Sequence, residues 1–140
     1  MKYSGRTATA IIIYPQNKIL LIRRSTPPFV DYWALPGGRA EQDEPAEQTV
    51  VREVKEETGL NVKVIRKVGE YREQGVQAGL EYDYHPACFF VRVVAGEIQR
   101  QEKEIAEIKL FSLDGLPEVL AFEHGKMIKD FLTQSHLEKT

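Results

Sequence analysis

Residues 45–60 read PAEQTVVREVKEETGL, and the interpretation of the whole chain starts from this stretch. Apolar side chains recur in it at the four-residue spacing of one helix face, at Ala46, Val50 and Val54. Pro45 suits the first turn of a helix, where its missing N–H costs nothing, and Gly59 suits a left-handed cap after the last turn. The sequence therefore predicts a helix over residues 45–58 with one buried stripe.

The same helix carries acidic residues related by three and four positions, so that their carboxylates project on one side: Glu53, Glu56 and Glu57. Glu57 also follows Val50 by seven residues, which places it almost on the buried stripe, where an unpaired carboxylate is costly. A divalent cation would compensate for the repulsion, and carboxylate oxygens suit Mg²⁺ or Mn²⁺ better than zinc. The alternative is a solvated acidic face with Arg52 and Lys55 as local partners.

This helix belongs to a longer spaced pattern that begins at Gly38. Five residues separate Gly38 from Glu44, and seven more lead to residues 52–60, REVKEETGL. The pattern resembles the Nudix box, G-x5-E-x7-R-E-U-x-E-E-x-G-U with U apolar, at every defined position. Weaker similarity extends over the rest of the chain, including residues 33–38, WALPGG. Asp43 stands where a glycine is often found, a departure outside the defining pattern.

The resemblance implies the Nudix fold, a mixed β-sheet sandwiched between α-helices, over a single domain of residues 1–140. The order of elements in the sequence itself indicates an α+β domain. Strands are predicted over residues 8–14, 19–22, 62–68, 82–94 and 108–112, the first two paired as a hairpin. A closing helix is predicted from residue 116 to about residue 132. Its core-facing residues are expected to be Leu120, Met127, Ile128 and Phe131.

The resemblance also implies a magnesium site, with manganese as a substitute. Its ligands would be the Gly37 or Gly38 backbone carbonyl and the carboxylates of Glu53, Glu56 and Glu57. Arg52 would orient a glutamate, and Glu44 would support the helix-side network. Metal ions on a diphosphate neutralise charge and acidify a bound water, and a carboxylate takes the water's proton. Because that base differs between family members, the candidates are Glu53 and the later glutamates Glu104 and Glu107.

Substrate contacts are expected from residues outside the box as well as from Gly38. Arg23 and Arg24 end a predicted strand, so alternation places one on the site side and the other opposite. Arginine is well shaped to bind phosphate, although two solvated charges are the alternative. Phe29 lies in a predicted loop and is a candidate for stacking on a base. His85 and His124 lack metal-ligand spacing and are assigned structural or surface roles.

Net charge and composition limit the classes of molecule that the protein is expected to bind. A net charge of −2 and a pI near 6.0 argue against a nucleic-acid polymer, whereas a small nucleotide needs only a local cluster of cations. No apolar run approaches the ~20 residues of a membrane span, and the N-terminus does not resemble a signal peptide. We therefore expect a cytoplasmic protein without membrane contacts, and a homodimer is left open.

The leading functional hypothesis is hydrolysis of a nucleoside diphosphate linked to another group, with ADP-ribose as the first substrate to test. Residues 120–124, LAFEH, resemble a helix start in ADP-ribose-type members. One alternative is a pyrophosphohydrolase that removes oxidised or non-standard nucleoside triphosphates. Another is a sensor domain that binds a nucleotide sugar without cleaving it, which the intact box disfavours.

Overall fold

The structure is a computed structural model that describes residues 2–100 and 104–138, with side chains to residue 135. In chain order its elements are β1 (Tyr3–Tyr14), β2 (Lys18–Arg24), β3 (Trp33–Ala34), β4 (Gly37–Arg39), α1 (Ala46–Thr58), β5 (Asn61–Glu70), β6 (Glu73–Gln77), β7 (Leu80–Ala95), β8 (Ile105–Ser112) and α2 (His124–Glu138). Within this described part, neither helix combines the length and the apolar character needed to cross a bilayer.

The strands form one eight-stranded mixed sheet. Its central order is β3-β2-β1-β7-β5, while β4 pairs with β1, β6 with β7 and β8 with β2. Strands β1 and β7 run parallel over ten residue pairs, from Tyr3–Tyr82 to Ile12–Val91, and the other pairings are antiparallel. A parallel pair needs a long crossover connection, and here that connection includes α1.

The two helices cover opposite faces of this sheet. Successive side chains of a strand point to opposite faces, and β1 is buried on both. On one face, Val50 and Val54 of α1 share a core with the β1 residues Ala8, Ala10 and Ile12. On the other face, Ile11 shares a core with the α2 residues Met127, Ile128 and Phe131. The predicted α+β class and the mixed sheet between helices are therefore confirmed.

Predicted boundaries were correct where local pattern decides them and wrong near residue 116. The hairpin of β1 and β2 is present, with Ile13 opposite Ile19. The closing helix, however, begins at His124. The preceding segment pairs with β3 instead, because Trp33 bridges Leu120 and its carbonyl accepts a hydrogen bond from Ala121 N at 2.8 Å. Leu120 packs on the core from this segment, outside the helix.

Strand β6 was missed because its turn carries no strong sequence signal. It forms a hairpin with β7 around Ala78 and Gly79, whose φ angles are 52° and 80°. Such two-residue turns favour Asn-Gly or Asp-Gly, and alanine is a poor indicator of a positive φ. This hairpin places Glu73 opposite Tyr84, and both residues line the cleft described below.

We predict that Gly37→Ala destabilises the fold far more than Gly79→Ala. Both glycines have positive φ, 153° and 80°, but only a Cβ at Gly37 would overlap the Ala8 carbonyl oxygen. We expect Gly37→Ala to lower the free energy of unfolding by about 3 kcal/mol or more, through strain and overpacking. Gly79→Ala should cost about 1–2 kcal/mol, from backbone conformation alone. Urea denaturation measures both, and equal losses would contradict the close approach of β4 to β1.

Candidate active site

One cleft of about 560 Å³ brings the acidic helix together with residues from distant parts of the chain. This volume is in the range of small-molecule sites. Its wall includes Glu53 and Glu57 of α1, Gly37 and Gly38 of β4, Arg24 of β2, Glu73 of β6, and Glu104, Phe122 and His124. Anionic groups and an arginine thus face the same space.

Glu57 is the buried carboxylate of this cleft. Its residue is 6% exposed, as its position near the Val50 stripe predicts. One carboxylate oxygen, Oε1, accepts a hydrogen bond from the Gly37 N–H at 2.8 Å. Arg24 also interacts electrostatically with Glu57. These contacts offset the cost of burying the charge and tie the end of α1 to β4.

Arg52 joins the other acidic residues of the pattern. Its Nε and Nη2 donate to the two oxygens of Glu44, both at 2.9 Å, a bidentate geometry. Its Nη1 donates to Glu53 at 2.9 Å and lies 3.2 Å from Glu56. Hydrogen bonds from Arg52 and from the Thr49 hydroxyl lower the pKa of Glu44 to about 2. Arg52 and Glu44 therefore have the arrangement that the resemblance implies.

The donor set fits a hard divalent cation, although its members are engaged with protein partners. Among residues 2–100 and 104–138, no three His, Cys, Asp or Glu side chains already surround a common point. Arg52 holds Glu53 and Glu56, and Glu57 faces the Gly37 N–H. The Glu53 carboxylate occupies the space that a Cβ at Gly38 would take. Carboxylate oxygens beside a glycine backbone are ligands of the kind that Mg²⁺ prefers.

The two arginines of β2 diverge, as strand alternation predicts. Arg24 lines the cleft, donates to the Pro28 carbonyl at 2.9 Å and lies 5.0 Å from the centre of the Phe122 ring. Burial lowers its pKa from the usual arginine range. Arg23 does not line the cleft, because it pairs with Asp31 at 2.8 Å and with Glu107 at 3.3 Å.

The remaining expected residues separate in the same way. Glu104 lines the cleft, whereas Glu107 is held by Arg23 outside it. Phe29 does not line the cleft either. Its ring packs on Phe122 at 4.6 Å between centroids, and Phe122 itself lines the cleft, as do Tyr3 and Tyr84.

Two buried residues of the cleft were missed. Glu73 is 3% exposed, and burial raises its pKa to about 7. His124, 5% exposed, accepts a hydrogen bond from the Leu35 N–H at its Nδ1, at 3.0 Å. Burial lowers the pKa of His124 to about 3, so the neutral ring carries its proton on Nε2, 3.7 Å from Glu73 Oε2. The two are therefore not an ion pair.

Comparison with known proteins decides the family. The family model of the NUDIX domain matches residues 4–131. The chain belongs to the NUDIX family. It is a Nudix hydrolase, and the spaced pattern from Gly38 to Leu60 is its Nudix box. Nudix hydrolases generally use a divalent metal such as Mg²⁺.

Named relatives and solved structures agree with this assignment. An ADP-ribose pyrophosphatase of Methanocaldococcus jannaschii is 41% identical over 127 residues, 86% of this chain and 69% of that protein. A putative 8-oxo-dGTP diphosphatase of Bacillus subtilis is 33% identical, over 89% of this chain and 77% of that one. The MutT NUDIX hydrolase of Burkholderia pseudomallei superimposes with a TM-score of 0.80 at 25% identity, over 91% and 97% of the chains. The NUDIX domain of Shewanella oneidensis NrtR, complexed with ADP ribose, gives 0.74 at 25% identity, over 96% and 90%.

The Glu44–Arg52 contact predicts a specific acid sensitivity of this Nudix hydrolase. The Glu44 pKa is depressed from 4.5 to about 2. The ionised Glu44 carboxylate therefore stabilises the fold fully above pH 4.5, and this contribution is lost as the pH falls towards 2. We expect Glu44→Gln to reduce the steepness of the stability decline in that window. Urea midpoints measured across acidic pH test this, with Glu47→Gln, an exposed residue of the same helix, as the control. Parallel curves for Glu44→Gln and the unmodified enzyme would contradict the assignment.

Proposed function

We propose that this Nudix hydrolase uses Mg²⁺ to cleave a nucleoside diphosphate linked to a second group, with ADP-ribose-like compounds as its substrate class. The observation that carries the proposal is the single cleft in which Glu53 and Glu57 of the box face Arg24 and the buried pair of Glu73 and His124. The 41% identity to a protein named ADP-ribose pyrophosphatase supports the class. The similarity to an NrtR domain complexed with ADP ribose does so too.

The metal would be held by Glu53, Glu56 and Glu57 with the backbone carbonyl of Gly37. When bound, it would neutralise charge on the diphosphate and acidify a water molecule. Glu57 has its carboxylate fixed in the cleft by Gly37, and Glu53 by Arg52. Glu56, whose side chain is 45% exposed, would exchange its contact with Arg52 for the ion.

Arg52 and Arg24 have different tasks in this proposal. Arg52 positions carboxylates, since its donors bind Glu44, Glu53 and Glu56. Arg24 would attract the phosphates, because it lines the cleft beside Glu57 and interacts with it electrostatically. Its guanidinium donates to the Pro28 and Thr26 carbonyls, at 2.9 and 3.3 Å. The side chain is therefore already ordered, and substrate binding would cost little of its conformational entropy.

Glu104 is the group that we propose to take the proton from the attacking water. It is exposed and lines the cleft. Glu53, the other candidate, shares its charge with Arg52 at 2.9 Å, which makes it a weaker proton acceptor and a better positioned ligand. Glu107 is not favoured, because it contacts Arg23 and does not line the cleft.

A substrate panel tests the proposed class. With Mg²⁺ present, ADP-ribose should yield AMP and ribose 5-phosphate at a higher kcat/KM than nucleoside triphosphates yield a monophosphate and pyrophosphate. The triphosphates are the second candidate class, which the 33% identity to a putative 8-oxo-dGTP diphosphatase favours. A chelator should abolish turnover, and added Mg²⁺ or Mn²⁺ should restore it. Higher efficiency on an oxidised triphosphate would replace the first class by the second.

The role of Glu57 is tested by Glu57→Gln. The amide keeps an acceptor for the Gly37 N–H but removes an anionic ligand, so kcat should fall about 10²-fold or more while folding is retained. Glu47→Gln is the matched control on the exposed side of the same helix. Near-normal kcat of Glu57→Gln at saturating metal and substrate would remove Glu57 from the ligands.

The base is tested by comparing Glu104→Gln with Glu107→Gln. We expect the first to lower kcat by about 10²–10⁴-fold, the usual contribution of a general base. Glu107→Gln should leave kcat within about threefold, because Glu107 does not line the cleft. Equal effects of both variants, or a loss confined to Glu53→Gln, would assign the proton transfer elsewhere.

A further inference from the structure

Glu73 and His124 form a polar pair in the cleft that the proposed chemistry leaves unused. Glu73 Oε2 accepts a hydrogen bond from Glu123 N at 3.1 Å, and His124 Nδ1 accepts one from Leu35 N at 3.0 Å. Each side chain is therefore held by a backbone N–H on one side. Both residues line the cleft although they are 3% and 5% exposed. Each side chain also keeps a polar atom that can meet a ligand in the cleft.

Those remaining atoms are a donor and an acceptor. With Nδ1 accepting from Leu35, the neutral His124 ring donates from Nε2. Nε2 lies 3.7 Å from Glu73 Oε2, beyond hydrogen-bond distance. In the described part of the chain no buried side-chain nitrogen or oxygen lacks a partner, so Nε2 is accessible to the cleft. Glu73 Oε1 likewise makes no hydrogen bond with a described residue.

We propose that Glu73 and His124 together bind one hydroxyl group of the substrate's sugar. A hydroxyl accepts and donates through a single oxygen, so it satisfies His124 Nε2–H and the Glu73 carboxyl at the same time. His124 Nε2 and Glu73 Oε2 are 3.7 Å apart, so one oxygen between them can lie within hydrogen-bond distance of both. Oε2 accepts one hydrogen bond from Glu123 N and, as a carboxylate oxygen, can accept a second. This assignment rests on the proposed function and names the sugar as the part of the substrate that the pair recognises.

The surroundings favour a sugar over a nucleobase at this point. A base needs an aromatic face to stack on, and Phe122 is the aromatic neighbour of His124, 5.5 Å away between ring centroids. The Arg24 guanidinium already lies 5.0 Å from the centre of that ring. Phe29 packs on the same ring at 4.6 Å.

The pair also lies close to the diphosphate-cleaving residues. Leu35, which binds His124, is two residues before Gly37 of the proposed metal site. Arg24 interacts electrostatically with both Glu57 and Glu73. A sugar is the group attached directly to the diphosphate, so a hydroxyl is the part of the ligand expected beside these residues.

A binding cycle tests the assignment separately from catalysis. The probe is ADP-ribose with a methylene group between its phosphorus atoms, titrated calorimetrically with Mg²⁺ at a pH above about 7, the Glu73 pKa. Three analogues lack one hydroxyl of the nucleoside ribose, one hydroxyl of the terminal ribose, or the amino group of adenine. Turnover of ordinary ADP-ribose, measured in parallel, reports on the proposed function alone.

Two variants remove one partner each and keep the backbone contacts. Glu73→Gln retains an acceptor for Glu123 N, and His124→Asn retains one for Leu35 N while removing the Nε2 donor. Melting temperatures check that both fold. Glu81→Gln, an exposed carboxylate on the same hairpin, is the matched control and should bind every probe as the unmodified enzyme does.

Loss of one sugar hydroxyl should weaken binding to the unmodified enzyme about tenfold or more. The same loss should have little effect on Glu73→Gln or His124→Asn, and the analogue that shows this coupling identifies which ribose is bound. Additive effects for both sugar analogues, coupling to the adenine amino group, or no measurable binding would each overturn the assignment. Coupling without any turnover of ADP-ribose would support the sugar contact and reject the proposed hydrolysis.

Discussion

The hydrogen bond from the Gly37 N–H to the Glu57 carboxylate, 2.8 Å long, connects the end of α1 to β4 and fixes where the cleft lies. At the same residue β4 approaches β1 so closely that a Cβ at Gly37 would overlap the Ala8 carbonyl. The backbone geometry at Gly37 and the burial of Glu57 are thus one constraint. The Gly37 N–H and the nearby Arg24 both stabilise the buried Glu57 anion.

Arg52 holds three carboxylates of the Nudix box in position. Its guanidinium distributes its donors over Glu44, Glu53 and Glu56, so repulsion between these carboxylates is reduced before any metal is present. Groups that hold metal ligands in place commonly determine their orientation as much as the metal does. The Thr49 hydroxyl also donates to Glu44, at 2.7 Å, and so extends this hydrogen-bond network to the first turn of α1.

The opposite part of the cleft is built from residues that only the sheet brings together. The hairpin of β6 and β7 carries Glu73, and the start of α2 carries His124. The Phe122 ring contacts the Arg24 guanidinium and the rings of Phe29, Tyr82 and Tyr84, so this wall of the cleft is closely packed. The proposed sugar contact and the proposed metal site therefore lie on different elements of the fold.

The sequence by itself determined the acidic helix, its cap and the first hairpin. Gly59 adopts φ 82° and donates to the Lys55 carbonyl, as its position after the helix predicts. Burial of Glu57 also followed from the seven-residue offset to Val50. These features are decided by backbone conformation and periodicity within a few turns of chain, and the box spacing identified the family because it fixes the same local geometry.

Only the tertiary structure decided which of the distant residues reach the site. Nothing local distinguishes Arg24 from Arg23, or Glu104 from Glu107, because the difference arises from strand β8 pairing with β2. Glu73 and His124 are 51 positions apart in the sequence and meet because β6 pairs with β7 while residues 120–124 dock on β3. The observed start of α2 differs from the predicted start for the same reason, because Ala121 N donates to the Trp33 carbonyl instead of to a helical turn. Contacts of this kind are set by sheet register, which no window of sequence contains.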